Sequence, residues 1–154
     1  MADVNIQKAC EVFNALTSIL DSIDWKYEKV EDKLLIKSGY QGDDLPIRFG
    51  IEILPQNQVI RLVSYFPFDM PEDKRVEAAV AVCAVNNKLI DGCFDLDLSD
   101  GSLSFRMTDS YSDGMPTKDF VEYVLACSLS TIDDYNDKFF MLAKGMMNAT
   151  DFLA

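Results

Sequence analysis

The sequence predicts an α+β protein in which a five-stranded antiparallel sheet packs against helices mainly on one face. Three observations predict this class. Two adjacent segments alternate apolar and polar residues, an Asp-Gly pair joins two more such segments, and three segments repeat apolar residues every three or four positions. The expected order of elements is α-β-β-β-α-β-β-α. Because 154 residues is a one-domain length, residues 1–154 are predicted to form a single domain.

The first predicted elements are a helix and a short strand. The helix runs from Asn5 to Ile23, and Asp3 or Asn5 is expected to cap its start. Its apolar residues fall on one stripe: Ile6, Ala9, Phe13, Leu16, Leu20 and Ile23. The segment from Trp25 to Tyr40 is mixed in character. We expect one strand in it, of about six residues around Leu34–Ile36, because this apolar run is flanked by lysines.

The next two strands are predicted to form a hairpin, with Ile47 to Ile53 followed by Val59 to Phe66. A two-residue turn at Gln56-Asn57 places Glu52 opposite Arg61, so that a carboxylate faces a guanidinium. The same register sets apolar residues against each other: Ile53 opposite Ile60, and Ile51 opposite Leu62. A slip of one residue would destroy both matches, so the pattern specifies the register.

The second helix is predicted from Glu72 to Ile90, because Pro71 suits a helix start and Gly92 can end the helix in a left-handed conformation. Its apolar residues cover an arc of about 220°, more than contact with one sheet requires. One flank holds Val76, Ala79, Val80, Cys83 and Ile90, and the other holds Ala78, Val82, Val85 and Leu89. The first interpretation is packing between the sheet and the terminal helices. The alternative is that one flank contacts a second subunit, with Ala78, Val82, Val85 and Leu89 as the candidate dimer or packing flank.

The acidic stretch that begins at Asp95 is the strongest candidate for a metal site in the sequence, but it does not match an EF-hand loop. An EF-hand loop starting there requires glycine at position 6 and glutamate at position 12, but these positions hold Asp100 and Arg106. The Asp100-Gly101 pair instead predicts a two-residue hairpin turn. Apolar pairs then face inward (Leu98–Leu103, Leu96–Phe105 and Phe94–Met107) and polar pairs face outward (Asp97–Ser104 and Asp95–Arg106).

A long final helix is predicted from its cap, Thr117, to about Met147. Apolar or small residues alternate at spacings of three and four along one side: Val121, Leu125, Ser128, Ile132, Tyr135, Phe139, Leu142 and Met146. The opposite side is acidic, so this helix is expected to face the core with a solvated back.

The sequence contains no pattern that indicates catalysis. It has no histidine, which removes the commonest general base and zinc ligand, and it has neither of the glycine-rich phosphate-binding motifs. Carboxylate pairs are inevitable among 26 acidic residues and point to no site. We therefore expect no enzyme, no cofactor and no metal.

The charge and cysteine content restrict the partners and the compartment. A net charge of -12 without a basic patch argues against nucleic acid as a partner. No signal peptide or membrane-spanning stretch is expected. The four cysteines form no CxxC pair and are predicted to be reduced, mostly buried thiols of a cytoplasmic protein: Cys10, Cys83, Cys93 and Cys127.

Two stretches, SYFPFDMPEDKRVEA and AVNNKLIDGCFDLDLSDGSLSFR, resemble the YbjN-like domain family. The resemblance spans Trp25 to about Leu142, and the residues that carry it are Pro71, Asn86, Asn87, Gly92, Phe94, Asp100 and Gly101. It implies a fold similar to type III secretion chaperones, which dimerise and bind partner chains in extended form. The implied function is a non-catalytic protein-binding module, either a chaperone-like adaptor or a regulator, with a homodimer as one assembly.

The sheet face away from the helices is the candidate partner-binding surface. It should display Arg48, Arg61, Val63, Tyr65 and Arg106, together with Glu52, Asp95, Asp97 and Ser104. Exposed strand edges are a second way to bind an extended peptide. The alternative function is a small-molecule sensor domain, with a pocket lined by Phe66, Phe68, Met70 and Met115.

Overall fold

The computed structural model describes residues 6–154, so the expected N-cap, Asp3 or Asn5, lies outside the described residues. The described chain forms three α-helices and six strands: α1 (Ile6–Ser22), β1 (Tyr27–Val30), β2 (Leu35–Gln41), β3 (Pro46–Leu54), β4 (Val59–Asp69), α2 (Arg75–Asn86), β5 (Cys93–Leu96), β6 (Ser102–Ser110) and α3 (Lys118–Ala143). Short 3₁₀ segments occur at Glu31–Lys33, Glu72–Lys74 and Ala149–Phe152. None of these helices is both long enough and apolar enough to cross a membrane.

The six strands form one antiparallel sheet in the order β1-β2-β3-β4-β6-β5. The predicted α+β class is therefore confirmed, but the predicted number of five strands is wrong. The additional strand, β1, has Glu28 and Lys29 at its centre, so it lacks the apolar alternation that would predict it. It is anchored from its start, because the Tyr27 hydroxyl donates a hydrogen bond to the Asp21 carboxylate over 2.8 Å.

The hairpin of β3 and β4 has the predicted register. Ile53 lies opposite Ile60, Ile51 opposite Leu62 and Glu52 opposite Arg61. Pairing ends at Leu54 and Val59, so the loop comprises the four residues 55–58 rather than a two-residue turn. The register is confirmed because the side-chain matches, more than the turn, specify it.

The hairpin of β5 and β6 has a different register from the predicted one. Phe94 lies opposite Phe105 and Leu96 opposite Leu103, a shift of two residues. The cause is a longer loop, in which the Gly101 amide donates to the Asp97 carbonyl over 2.7 Å. A shift of two residues keeps the side chains that remain in the strands on their predicted faces. Asp97 and Leu98 leave the sheet, and Leu98 is 56% exposed.

Two contacts explain why this loop is longer. The Asp97 carboxylate accepts hydrogen bonds from the Ser99 amide and hydroxyl, at 2.8 and 2.6 Å. Gly101 has a φ of +84° and its carbonyl accepts from the Met70 amide at 2.7 Å. A Cβ atom at Gly101 would lie 2.1 Å from the Met70 carbonyl oxygen, so only glycine fits there.

Helix α2 is shorter than predicted and ends at Asn86. It ends there because the Asn86 amide turns to the backbone of Phe94: its Nδ2 donates to the Phe94 carbonyl at 3.0 Å and its Oδ1 accepts from the Phe94 amide at 2.8 Å. Gly92 does adopt the left-handed conformation, with a φ of 74°, but it lies beyond the end of the helix.

Helix α3 joins two apolar clusters on the inner face of the sheet. Val121 and Leu125 pack in the cluster beneath α1, and Ile132 and Phe139 pack in the cluster beneath α2. Between them in the helix lies Ser128, whose hydroxyl is 2.9 Å from that of Ser64 on β4. Both serines are buried, so this pair satisfies two polar groups at the junction of the two clusters.

The ends of α3 are set by a cap and by a glycine. The Thr117 hydroxyl accepts from the Phe120 amide at 3.2 Å, which confirms the predicted cap. The helix ends at Ala143 rather than near Met147, because Gly145 follows with a φ of 73°. The chain then folds back beneath α2, where Phe152 is buried with its ring centroid 5.1 Å from that of Phe139.

Candidate partner-binding surfaces

The structure brings the predicted sheet-face residues together. On the outer face, which points away from α1 and α3, Arg48 lies directly opposite Tyr65 and Val63 directly opposite Arg106. Arg61 lies on the same strand as Val63, two residues before it. Tyr65 is 55% exposed, so an aromatic ring and an aliphatic side chain lie at the centre of a charged surface.

The acidic residues expected on this face are only partly there. Glu52 and Asp95 lie on it, opposite Arg61 and Ser104 respectively. Asp97 does not, because the register shift places it in the loop after β5.

Two of the three arginines are neutralised by these carboxylates. Arg61 Nε lies 2.5 Å from Glu52 Oε1, and Arg106 Nε lies 2.7 Å from Asp95 Oδ2. The hydrogen bond to Asp95 raises the pKa of the Arg106 guanidinium, so this residue keeps its charge. Burial raises the pKa of the neighbouring Cys93 thiol, which is therefore protonated at neutral pH and a poor nucleophile.

Lys37 was not among the predicted face residues, although it belongs to this surface. It lies on β2, opposite Gly50. Within the described part of the chain, neither Lys37 nor Arg48 has an ion-pair partner. Lys37 follows the buried Ile36, and this alternation is typical of a strand residue that faces outward. The apolar run around Ile36 obscured the alternation in the sequence.

A trough lies between these two cations. It has a volume of about 280 Å³ and exists because Gly50 has no side chain at the centre of the outer face. Its walls are Leu35, Lys37, Ser38, Arg48, Phe49 and Tyr65. An open cleft lined by Pro46, Arg48, Tyr65, Phe66 and Pro67 continues from the same arginine and tyrosine.

Helix α2 exposes one of its two apolar flanks. Ala78, Val82 and Val85 of the candidate dimer or packing flank are buried within this chain, and Leu89 is half-buried. On the other flank, Val76 is 76% exposed and Val80 is 52% exposed. With Cys83 and Leu153, they form an apolar patch, which we call the α2 patch.

The two edges of the sheet differ. At the β5 edge, the outward amide and carbonyl of Phe94 are already bonded to Asn86. At the other edge, β1 has a neighbouring strand on one side only within the described residues. An extended peptide would therefore find an open strand edge at β1, whereas at β5 it would have to displace the Asn86 amide from Phe94.

The pocket expected for a small-molecule ligand does not form from the predicted residues. Phe66 and Met70 are buried in the apolar cluster beneath α2, and Phe68 packs against them, while Met115 is 45% exposed and lines a different cavity. This prediction is wrong because β4 continues through Phe68 and turns its side chains toward the core.

Another cavity, of about 250 Å³, lies between the start of α3, the start of β4 and the end of β6. Apolar residues line it together with a rim of polar ones: Ile60, Leu62, Met107, Phe120 and Val124, with Asp91, Thr108, Asp109 and Tyr123. The Tyr123 hydroxyl donates to Asp91 Oδ2 at 3.0 Å across this rim.

The described residues contain no group of histidine, cysteine or acidic side chains that could hold a metal ion. The acidic loop residues are used locally instead: the Asp97 carboxylate bonds Ser99, and the Asp100 carboxylate accepts from the Ser102 amide at 2.8 Å. The four cysteines are unpaired, but the prediction that they are mostly buried is wrong, since Cys10 and Cys83 are exposed.

Comparison with solved structures shows the fold. The ExsC–ExsE complex contains a chain that is 14% identical and superposes with a TM-score of 0.60, over 82% of this chain and 92% of that one. YbjN from E. coli is 12% identical with a TM-score of 0.61, over 82% and 92% of the two chains. The HopA1–SchA chaperone–effector complex gives 12% identity and a TM-score of 0.55, over 82% and 94%.

Sequence comparison identifies the family. No curated protein matches the chain in sequence. The model of the YbjN family, described as "Putative bacterial sensory transduction regulator", matches residues 13–141, which include all six strands, all of α2, nearly all of α3 and the second part of α1. This chain belongs to the YbjN family.

Proposed function

We propose that this protein is a non-catalytic adaptor or regulator that binds a protein partner on the outer face of its sheet. The observation that carries the proposal is the composition of that face, where Tyr65 and Val63 lie among three arginines and beside an apolar trough. Protein interfaces favour aromatic residues and arginine at their centres. The solved complexes of similar fold, one of them a chaperone with its effector, support a partner of this class. The four unpaired cysteines suit the cytoplasm, where we propose that the protein acts.

A mild crosslinking pull-down from the host lysate tests this proposal. The wild type should enrich a specific protein, and Tyr65→Asp should lose it, because a carboxylate replaces the exposed ring. Ile90→Asp is the matched control, since Ile90 is fully exposed and lies away from the sheet face. If the two variants enrich the same proteins as the wild type, the outer face is not the binding surface.

We also propose that two copies associate through the α2 patch. The chain leaves Val76 and Val80 exposed on this patch, whereas the opposite flank is already buried. Val80→Glu should give a folded monomer in multi-angle light scattering. Ala78→Glu should instead unfold the protein, because Ala78 is 0% exposed and an unpaired charge cannot be accommodated there. A wild type that is already monomeric would contradict the proposal.

A small-molecule sensor is the second candidate function. The cavity between α3, the start of β4 and the end of β6 favours it, because an apolar floor with a few polar groups at its rim is typical of ligand sites. A thermal-shift screen of small metabolites tests it, since a ligand that binds only the native state raises the Tm. Val124→Trp should fill the cavity and remove any such shift; a shift that survives this change would place the ligand elsewhere.

A further inference from the structure

We infer that the partner segment bound on the outer face is extended and acidic, with an apolar side chain in the trough above Gly50 and carboxylates on Lys37 and Arg48. This inference rests on the proposed function, because it specifies the chemistry of the partner at the same surface.

The charge distribution carries the first step. The whole chain has a net charge of -12, yet this part of the outer face carries two cations side by side on neighbouring strands. Lys37 and Arg48 flank the trough, and neither has an ion-pair partner within the described residues. Glu28 lies opposite Lys37 on β1 but forms no ion pair with it. A carboxylate of a bound segment would give both cations the partner that this chain does not provide.

The shape of the surface carries the second step. Gly50 is central in the sheet, where glycine weakens a strand and leaves no side chain to pack. A Cβ atom at Gly50 would lie 3.3 Å from Leu35 Cδ1, so any side chain there would begin to fill the trough. Its volume of about 280 Å³ suits a single apolar side chain better than a drug-sized ligand.

The arrangement of cations and trough follows the sheet lattice. Lys37 is directly opposite Gly50, and Arg48 is two residues from Gly50 on the same strand. Side chains two residues apart on one face of an extended segment are separated by about 7 Å, which matches the diagonal spacing of neighbouring strands. A strand-like segment that carries an apolar residue with carboxylates two positions before and two positions after it has all three side chains on one face. Such a segment can place the apolar side chain in the trough and a carboxylate within reach of each of the two long cationic side chains.

Peptide titration tests the inference. The probe is the blocked seven-residue peptide Ser-Asp-Ser-Leu-Ser-Asp-Ser, whose two aspartates and leucine lie on one face when it is extended. Its binding is followed through the amide resonances of β2, β3 and β4 in NMR spectra. We expect saturable shifts around Gly50. Binding should weaken when salt is raised enough to reduce the Debye length from about 30 Å to about 3 Å. Peptides with asparagine or lysine in place of aspartate should bind more weakly.

Two charge variants give the expected magnitude. Lys37→Gln and Arg48→Gln should each weaken binding of the acidic peptide about two- to five-fold, since an exposed charge pair contributes up to about 1 kcal/mol. Lys118→Gln is the matched control, because it makes the same change of charge at the start of α3 and should leave the affinity unchanged. Equal effects of all three variants would overturn the inference.

Gly50→Val tests the trough itself. It should leave the fold intact, because valine suits a strand. It should lower the affinity for the acidic peptide about tenfold or more, since the apolar side chain of the peptide loses its site. Gly50→Ala is a second, smaller change in case valine disturbs Leu35, and circular dichroism checks both folds. A folded Gly50→Val protein that binds as tightly as the wild type would overturn the inference.

The remaining outcomes separate this inference from the proposed function. If the pull-down partner depends on Tyr65 but not on Lys37, Arg48 or Gly50, the proposed function stands and the acidic-segment inference fails. If a ten-nucleotide oligothymidylate shifts the same resonances at lower concentration than the acidic peptide, the surface prefers phosphates. That result would contradict both the acidic-segment inference and the proposed function.

Discussion

At the scale of the residue, side chains repeatedly satisfy backbone groups that secondary structure leaves unpaired. Arg75 is the clearest case: its guanidinium donates to four carbonyls, those of Met70, Leu98, Ser99 and Asp100, at 2.9 to 3.3 Å. This one side chain ties the start of α2 to the loop between β5 and β6. A loop that otherwise projects into solvent is thereby held in place.

Asn86 likewise bonds backbone groups at the edge of the sheet, the amide and carbonyl of Phe94. We expect Asn86→Ala to lower the free energy of unfolding by about 1 to 3 kcal/mol, because these two groups lose their partners. Urea denaturation measures the change. Asn87→Ala is the matched control, since Asn87 is exposed and should change stability by less than about 0.5 kcal/mol. Equal losses in the two variants would contradict the role given to Asn86.

Tyr111 differs, because its hydroxyl is buried without a hydrogen-bond partner among residues 6–154, and the residue is 3% exposed. Tyr111→Phe should therefore raise the free energy of unfolding, by up to about 1 kcal/mol at neutral pH. Chemical denaturation of both proteins decides this. A loss of stability would mean that the hydroxyl has a stabilising contact.

The same hydroxyl predicts a pH dependence. Burial raises the pKa of Tyr111, so the folded state resists ionisation while the unfolded chain ionises near its ordinary pKa of about 10. Ionisation of this group therefore leaves the free energy of unfolding unchanged below about pH 10 and lowers it as the pH rises further. Tyr111→Phe should show a smaller alkaline loss than the wild type in denaturation curves at rising pH; identical losses would contradict the assignment.

At the scale of the element, α3 is held to the sheet by a polar contact between two apolar clusters. Ser128→Ala should cost about 1 to 3 kcal/mol, because it strands the buried hydroxyl of Ser64. The double variant Ser64→Ala with Ser128→Ala should recover part of that loss, since neither hydroxyl then needs a partner. A double-mutant cycle measures the coupling, and strict additivity would show that the two hydroxyls do not interact.

At the scale of the whole molecule, the sequence predicted those features that side-chain period and local caps determine. The class, the β3–β4 register and the Thr117 cap follow from patterns within a few residues of one another. β1 was missed because it is a charged edge strand whose position depends on its neighbours. The β5–β6 register was wrong because the contacts of Gly101 with Met70 are distant in sequence.

The candidate surface was predicted in the same uneven way. The alternation along β3, β4 and β6 placed all five named residues on one face. It could not reveal the trough, because the space above Gly50 depends on Leu35 and Tyr65 from two other strands. Nor could it show which cations lack partners, since that depends on the final register of the carboxylates.

The Asn86 cap has a consequence for assembly. A sheet whose two borders both offer free backbone can add copies without limit and grow into a ribbon. Here the Asn86 amide already occupies the outward amide and carbonyl of Phe94 at one border, whereas β1 at the other border has a neighbouring strand on one side only within the described residues. Two molecules whose sheets joined at β1 would leave the Phe94 borders outermost, where the Asn86 amide competes with any further strand for the same backbone groups.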